Sequence, residues 1–364
     1  MPIDRRLLLN VDWVLMGATL MLTAIGVAMI HSATFSGASS GLYVKQASVV
    51  GFAALGMLGV LSLDYRRLAD RAVLFYLVAA ALLVYVLFFG PRIAGTRRWF
   101  LILGLQVQPS ELAKIAAALF VAKVFAEMRK DSLGLSDVLQ PGLAVVSLMV
   151  LIAAEPDLGT AFCLVPLFLS IALLAGLRLR AVGSLLLAGV VVFGLGWKFA
   201  LRDYQKTRIY TFLDPTLDPR GAGYQKIQSQ IAVGSGGLSG KGWKQGTQGQ
   251  LGYLPARHTD FIFSVLAEET GFLGVLFVLA LYLLVLWRAL EAAQLARDRL
   301  GAFLVAGLSS VIAFQVVYNV AMVAGLVPVK GLPLPLLSYG GASLLSTWLS
   351  IGLVLNVRMR RFAN

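Results

Sequence analysis

Asp260 is the acid in this sequence best placed for proton-transfer chemistry. It stands at the junction between a polar stretch and a long apolar run that begins at Phe261. A carboxylate there can act as a general base near the water interface, with Arg257 and His258 close enough in sequence to adjust its pKa. Aspartate is also a favoured helix N-cap, so residue type and position leave both interpretations open.

Two further charges, Glu111 and Lys114, lie inside an apolar segment. They are three residues apart on a helix that the sequence starts at 109–110, so they share one face and can form an ion pair directed into a helix bundle. Charged groups in such segments are costly and are rarely retained without a partner or a task. The alternative is that Glu111 complements the positive helix start while Lys114 extends its ammonium group to the interface.

Glu268 and Glu269 follow Asp260 in the next apolar run. At about 100° and 1.5 Å per residue, Glu268 lies about 80° around the helix from Asp260 and about 12 Å along it. Only Glu268 is therefore placed as a supporting acid for the same cavity, if the helix is continuous. Glu269 is expected to pair with a neighbouring helix, and Gln315 and Asn319 are candidate partners for one of the two glutamates.

Composition and the lengths of the apolar runs predict the helices that position these residues. The chain has 364 residues, of which 59% are hydrophobic and 13% charged, with a mean hydropathy of +0.82. Such values predict an all-α polytopic membrane protein that forms a single domain over 1–364. Ten apolar runs are long enough to span a bilayer: 12–31, 46–63, 72–90, 109–127, 139–154, 159–176, 181–200, 261–287, 302–325 and 339–357.

Orientation follows from the distribution of Lys and Arg, which favours cytoplasmic segments. Both termini are predicted to be cytoplasmic, which puts the long polar loop 201–260, between spans seven and eight, on the outer side. The predicted inner cations are Arg5, Arg6, Arg66, Arg67, Arg71, Arg129, Lys130, Arg178, Arg180, Arg288, Arg297, Arg299, Arg358, Arg360 and Arg361.

Cations on the outer side need another explanation, which an anionic headgroup or substrate supplies. Nucleic acid is excluded as a partner, because the basic residues are divided between two membrane faces. The outward cations that need this explanation are Arg97, Arg98, Arg202, Lys206, Arg208, Arg220, Lys226, Lys241, Lys244, Arg257 and Lys330.

Known nucleotide and metal motifs do not fit. The glycine-rich run 234–242 fails the Walker and dinucleotide spacings, so it is either a flexible turn or a backbone that approaches a ligand closely. The run 331–341, with two prolines and three glycines, predicts non-helical backbone that walls a groove. The only cysteine, Cys163, and the two histidines form no cluster with metal-ligand spacing.

Six blocks of the sequence, in order, resemble the SEDS family (shape, elongation, division and sporulation). The blocks are RRWF at 97–100, QPSELAK at 108–114, EPDLGTA at 155–161, FLDPTLDPRGAGYQKIQSQIAVGSGG at 212–237, YLPARHTDFIFSVLAEETG at 253–271 and GLPLPLLSYGGAS at 331–343. The stretch 240–263 is most similar to the rod-shape branch. Glu155 is a mild departure, because the family more often has Gln there, and we assign it no role.

The resemblance implies a peptidoglycan glycosyltransferase of the bacterial cytoplasmic (inner) membrane. It would join lipid II to a glycan on undecaprenyl diphosphate through β-1,4 bonds during elongation, beside a class B penicillin-binding protein. The essential acid of the family falls on Asp260, and Glu111 and Lys114 would support the site as a structural pair. The first-choice diphosphate ligands are Arg97, Arg98, Arg208 and Lys330, which the sequence cannot rank against Lys206, Arg220, Lys226 and Lys244.

The resemblance also implies dependence on a divalent cation, Mg²⁺ or Mn²⁺, but no ligand cluster in the sequence places one. Two other functions stay open. The first is a flippase for lipid-linked precursor, since charges inside spans suit a translocation path, although no internal repeat is visible. The second is a catalytically silent scaffold that recruits the transpeptidase.

Overall fold

The structure is a computed structural model that describes residues 10–35, 41–93, 95–102, 105–128, 130, 132–199, 203–219 and 221–362. Arg5, Arg6, Arg129, Arg202 and Arg220 lie outside these residues. The described α-helices are α1 (Trp13–Thr34), α2 (Leu42–Ser62), α3 (Tyr65–Asp70), α4 (Ala72–Phe89), α5 (Pro109–Glu127), α6 (Leu135–Ala154), α7 (Leu158–Leu174), α8 (Leu179–Phe199), α9 (Asp203–Leu213), α10 (Ala222–Ser235), α11 (Thr247–Gln250), α12 (Ile262–Gln294), α13 (Arg299–Val323) and α14 (Gly341–Met359).

Eight of the described helices are long and apolar enough to cross a membrane: α1, α2, α4, α6, α8, α12, α13 and α14. α7 is apolar but has only 17 residues, and α5 carries several charges. The predicted spans 139–154 and 159–176 are two separate helices, α6 and α7, joined by 155–157. The sequence did not predict the antiparallel hairpin of β1 (Phe100–Ile102) and β2 (Leu105–Val107), which precedes α5.

Aspartate N-caps begin four of the described helices, α1, α3, α7 and α13. Asp12 Oδ1 accepts hydrogen bonds from the first backbone amides of α1, Asp157 Oδ1 accepts from Thr160 N at 3.2 Å, and Asp298 Oδ1 accepts from Gly301 N at 2.8 Å. Each carboxylate satisfies amide groups that the first helical turn leaves unpaired. Asp157 thereby fixes where α7 starts, next to Arg98 and Gln108.

The polar loop 201–260 is largely folded. It contains α9, α10, α11 and a 3₁₀ turn at Pro215–Leu217. α10 packs on the membrane helices through Ser229, whose hydroxyl donates to Val323 O at 2.8 Å and lies 3.0 Å from Ser264 Oγ. The loop is therefore tied to the start of α12 and the end of α13.

α12 is longer than the predicted span 261–287 and is broken at Gly271, whose φ of 66° suits glycine. The glycine-rich segment 237–242 lies against the break. Four backbone hydrogen bonds join them: Lys241 N to Glu268 O at 3.0 Å, Gly242 N to Glu269 O at 3.0 Å, Phe272 N to Gly237 O at 2.9 Å and Leu273 N to Leu238 O at 3.1 Å. The segment replaces hydrogen bonds that the helix loses at the break.

Burial separates the core from the lipid-facing helices. α14 is mostly buried and packs against α2, whereas Ala181 is the one buried residue among those described in α8. Such a helix, apolar on all sides, is typical of contact with lipid or with another membrane helix.

Candidate active site

Asp260 lies where the loop ends and meets the segment before α14. Its backbone carbonyl accepts a hydrogen bond from Asn319 Nδ2 at 3.0 Å, and the carbonyl of Thr259 accepts one from Ser338 Oγ at 2.6 Å. The N-cap residue of α12 is Phe261. The capping position that residue type alone allowed for Asp260 is thus held by its neighbour, and its backbone is fixed from two other elements.

The environment of Asp260 makes it a stronger base than an exposed aspartate. Burial is the main reason that the pKa of Asp260 rises to about 6. Arg208 is the leading opposing charge, Asp157 raises the pKa further, and Arg98 lowers it. Asp260 therefore lies within electrostatic reach of two cations and one acid that come from three different parts of the chain.

Arg257 and His258 have other contacts. The Arg257 guanidinium donates to the backbone carbonyl of Gly249, and the His258 ring meets the Tyr339 ring edge-on at 5.8 Å. Burial and the charge of Arg257 lower the pKa of His258. The charges that adjust the pKa of Asp260 come from distant segments rather than from these chain neighbours, contrary to our expectation.

The adjacent arginines of the RRWF block point to different places. Arg98 donates through Nε to the carbonyl of Glu155 at 2.8 Å and through Nη2 to the following proline carbonyl at 2.5 Å, while Nη1 lies 4.0 Å from Asp157 Oδ2. Arg97 instead donates to the carbonyl of Phe88 at the end of α4. The structure brings Arg98 to the acids near the site and holds Arg97 at a helix terminus.

Lys330 belongs to the same group of charges. Its ammonium nitrogen lies 4.3 Å from the centre of the Phe162 ring. Burial lowers the pKa of Lys330 to about 8, Asp157 raises it and Arg208 lowers it again. Lys330 is thus a cation near Asp157 that can lose its proton more readily than an exposed lysine.

Arg208 and Lys226 line a narrow cleft together with Thr211, Phe212 and Val329. Lys226 Nζ donates to Phe212 O at 3.0 Å and lies 4.6 Å from the centre of that ring. Thr211 is 1% exposed, and its hydroxyl has no hydrogen-bond partner among the residues that the structure describes. Two cations beside a buried unpaired hydroxyl favour an anionic ligand.

Glu111 and Lys114 form a buried ion pair. Lys114 Nζ lies 2.9 Å from Glu111 Oε2, and Ser346 Oγ of α14 donates to the same carboxylate oxygen at 2.5 Å. The pair joins α5 to α14, and Lys114 and Ser346 line an internal cavity with Gln315 of α13. Asp157 is within electrostatic reach of Lys114, so the pair lies near that acid.

The two glutamates of α12 hold the loop. The fully buried Glu268 accepts hydrogen bonds from Lys241 Nζ at 2.7 Å and Thr247 Oγ1 at 3.0 Å, at the start of α11. Glu269 Oε1 accepts one from Ser32 Oγ of α1 at 2.5 Å, as expected for a partner on a neighbouring helix. Glu268, the candidate supporting acid, therefore accepts its hydrogen bonds from residues of the loop.

The polar residues of α13 have different partners from those we expected. Asn319 Nδ2 donates to Leu332 O at 2.8 Å as well as to Asp260 O, so it braces the site rather than a glutamate. Gln315 lines the cavity next to Lys114. Side-chain spacing within one helix does not reveal which neighbouring element it faces.

Sequence reasoning missed two polar residues beside the site. Asp157 Oδ2 accepts a hydrogen bond from Gln108 Nε2 at 2.8 Å, and Glu155, two residues earlier in the chain, is 1% exposed. The available signal was the pair of acids around a proline between two short apolar runs. Within the described ranges, no three His, Cys, Asp or Glu side chains lie close enough together to hold a metal ion.

The chain belongs to the family of cell cycle proteins named for FtsW, RodA and SpoVE, whose model matches residues 12–362. Peptidoglycan glycosyltransferase MrdB of Escherichia coli (strain K12) is 38% identical over 353 residues, which are 94% of this chain and 93% of that protein. Stage V sporulation protein E of Bacillus subtilis (strain 168) is 37% identical over 355 residues, 95% and 96% of the two chains.

Solved structures agree with this assignment. A chain from a peptidoglycan synthase complex that coordinates polymerization and crosslinking superposes with a TM-score of 0.84 at 32% identity, over 97% of this chain and 99% of that one. The rod shape determining protein RodA of Thermus thermophilus superposes with a TM-score of 0.73 at 31% identity, over 97% and 98%. The predicted resemblance to the rod-shape branch is confirmed by these relatives.

Proposed function

We propose that this chain is a peptidoglycan glycosyltransferase that polymerises lipid II, with Asp260 as its general base. The observation that carries this proposal is the position of Asp260, a half-buried carboxylate whose pKa is raised to about 6 by desolvation and which lies within electrostatic reach of Arg98 and Arg208. A base near neutrality beside cations is what transfer from a diphosphate to a hydroxyl requires.

The reaction follows from this arrangement. Asp260 takes the proton of the acceptor 4-hydroxyl, and the hydroxyl oxygen attacks C1 of the donor sugar. The bond from C1 to the diphosphate oxygen breaks, and undecaprenyl diphosphate leaves with the electron pair. Arg98, Arg208 and Lys330 stabilise the charge that develops on the leaving group. Because deprotonated Asp260 is the active form, the rate rises as pH rises through about 6.

The remaining predicted site residues have supporting parts in this proposal. The pair of Glu111 and Lys114 fixes α5 against α14 below the site. Arg97 contributes to the outer positive potential from the end of α4. The cleft of Arg208 and Lys226 offers a further phosphate-binding surface, and Lys226 thereby ranks above Lys244, whose ammonium lies 3.8 Å from the centre of the Phe35 ring.

The topology that suits this reaction has ten spans, the eight apolar helices together with α5 and α7. Both termini are then cytoplasmic, and Asp260 lies at the outer side of the inner membrane. A class B penicillin-binding protein is the proposed partner, with membrane lipids around the helices. The proposed divalent cation binds the substrate diphosphate, as Mg²⁺ commonly does at sites with few protein ligands.

A polymerisation assay in detergent tests the proposal. The protein is purified with its transpeptidase partner, supplied with lipid II, and compared as wild type, Asp260→Asn and Asp214→Asn. Asp214 is an exposed loop acid and serves as the matched control. Glycan strands from wild type and Asp214→Asn alone support the proposal, because detergent removes any need for transport.

The other outcomes distinguish the alternatives. Polymer from Asp260→Asn equal to wild type would remove Asp260 from the mechanism. A folded complex that gives no polymer with wild type or either variant would favour a flippase or a scaffold. The buried polar groups around Lys114 and Gln315 are the feature that suits the translocation path of a flippase.

A further inference from the structure

Asp157 is a buried carboxylate that connects separate elements near Asp260. The residue is 5% exposed. Its Oδ1 caps α7 through Thr160 N, and its Oδ2 accepts hydrogen bonds from Thr160 Oγ1 at 3.0 Å and from Gln108 Nε2 at 2.8 Å. Gln108 is the residue before α5, so the side chain ties the start of α7 to the start of α5.

The charge of Asp157 is not needed for the cap, because asparagine caps a helix about as well. Burying a carboxylate costs free energy unless other groups compensate. Arg98 Nη1 lies 4.0 Å away. Among the described residues, the other titratable groups within its electrostatic reach are Lys114, Glu155, Cys163, Lys330 and Asp260. Its negative charge therefore acts on the groups that surround the site.

We propose that Asp157 is a positioning residue for glycosyl transfer, which holds Arg98 and Gln108 in place near the site and keeps a second negative charge near the base. This inference rests on the proposed function. Asp157 takes no proton in the reaction: the proton of the acceptor hydroxyl goes to Asp260, whose affinity for it is increased by a nearby like charge.

The sign of the effect can be tested. Arg208 and Arg98 lower the pKa of Asp260, and Asp157 raises it. Asp157→Asn keeps an N-cap and a hydrogen-bond acceptor but removes the charge, while Arg98 keeps its hydrogen bonds to the carbonyls of Glu155 and Pro156. Loss of the like charge lowers the pKa of Asp260. The acid limb of the rate profile should then move below its wild-type position by about 1 pH unit.

The experiment compares pH profiles of lipid II polymerisation for wild type, Asp157→Asn, Asp157→Glu and Asp298→Asn. Asp298 is the matched control, since it also caps a helix and pairs with an arginine, Arg66, at 2.8 Å. Asp157→Glu keeps the charge while it displaces the cap, so its acid limb should match wild type. If Asp157→Asn does not fold, Asp157→Ser supplies another neutral N-cap.

A second measurement follows the ionisation of the Asp260 carboxyl group directly. Infrared titration of its carboxyl band, identified by the loss of that band in Asp260→Asn, gives the ionisation midpoint without turnover. A midpoint lowered in Asp157→Asn and unchanged in Asp298→Asn supports the inference even if the protein proves not to be a polymerase. A folded Asp157→Asn protein with the wild-type midpoint overturns it, whatever happens to the rate.

Discussion

The carboxylate of Asp260 lies directly against the backbone of Gly331. A β-carbon built at residue 331 would sit 3.2 Å from Asp260 Oδ2, closer than most packed methyl contacts. Gly331 belongs to the non-helical run that the sequence predicted as the wall of a groove. The absence of a side chain at residue 331 thus leaves the space that the carboxylate of Asp260 occupies.

We expect Gly331→Ala to lower the rate of polymerisation about tenfold, because a displacement of a few tenths of an ångström misaligns a catalytic group. The fold should persist, since the displaced group is a side chain. Gly234→Ala is the control, because a β-carbon at Gly234 meets no atom within 4 Å. Equal rates for the two variants would show that the contact does not restrict Asp260.

Glu155 should make stability depend on pH. Burial, followed by the charge of Asp157, raises its pKa from 4.5 to about 8. Neither carboxylate oxygen has a hydrogen-bond partner in the described part of the chain. The stabilisation by the protonated form is complete below pH 4.5 and is lost as pH rises through about 8.

Glu155→Gln is neutral at every pH, so it should remove this dependence. Its melting temperature should exceed that of wild type at pH 8 and approach it at pH 4.5, the unshifted value. Glu127→Gln, at an exposed glutamate, is the control. A wild-type melting curve as independent of pH as that of the Gln variant would contradict the prediction.

Thr211→Val should weaken binding of a diphosphate without weakening the fold. The substitution removes a buried hydroxyl that is unpaired among the described residues, so stability should be unchanged or higher. Pyrophosphate affinity, measured by calorimetry on Asp260→Asn protein, should fall about tenfold for Thr211→Val and for Lys226→Met. Lys206→Met, a neighbouring lysine outside the cleft, should bind as the parent does; unchanged binding in all three would refute the site.

The ion pair of Glu111 and Lys114 should show strong coupling. Lys114→Met leaves a buried carboxylate without its cation and should cost about 3–5 kcal/mol of unfolding free energy. The double variant Glu111→Gln with Lys114→Met should cost less than the sum of the single changes. Unfolding in detergent for the four proteins gives the cycle, and strict additivity would mean that the pair does not stabilise the fold.

The sequence predicted the helices well because lipid imposes one dominant rule. A spanning segment must be apolar and must pair its own backbone groups, so length and hydropathy locate it. The hairpin at residues 100–107 and the helices of the loop escaped prediction, since they are short and obey weaker local preferences. The break at Gly271 also escaped, because its lost hydrogen bonds are replaced by a segment 30 residues earlier.

Prediction of the site succeeded for residue types and failed for partners. Glu111 and Lys114 meet because one helix turn brings them together, which is a local fact. Helical geometry alone predicted that Glu268 faces the same cavity as Asp260. Its contacts are instead determined by residues 241–249, which donate hydrogen bonds to its carboxylate. The neighbours of Asp157 belong to α5, α7 and the segment at residue 330. These segments are distant in sequence, so residue spacing could not predict that they lie together.

The break in α12 has a consequence for biosynthesis. Until residues 237–242 dock, the peptide groups around Gly271 are unpaired, and each unpaired group in lipid costs several kcal/mol. In the topology proposed above, α12 therefore reaches its final shape only after the preceding loop has crossed the membrane and docked onto it. Completion of this helix is then a late step in biosynthesis, because it depends on folding of the segment 237–242 that precedes it in the chain.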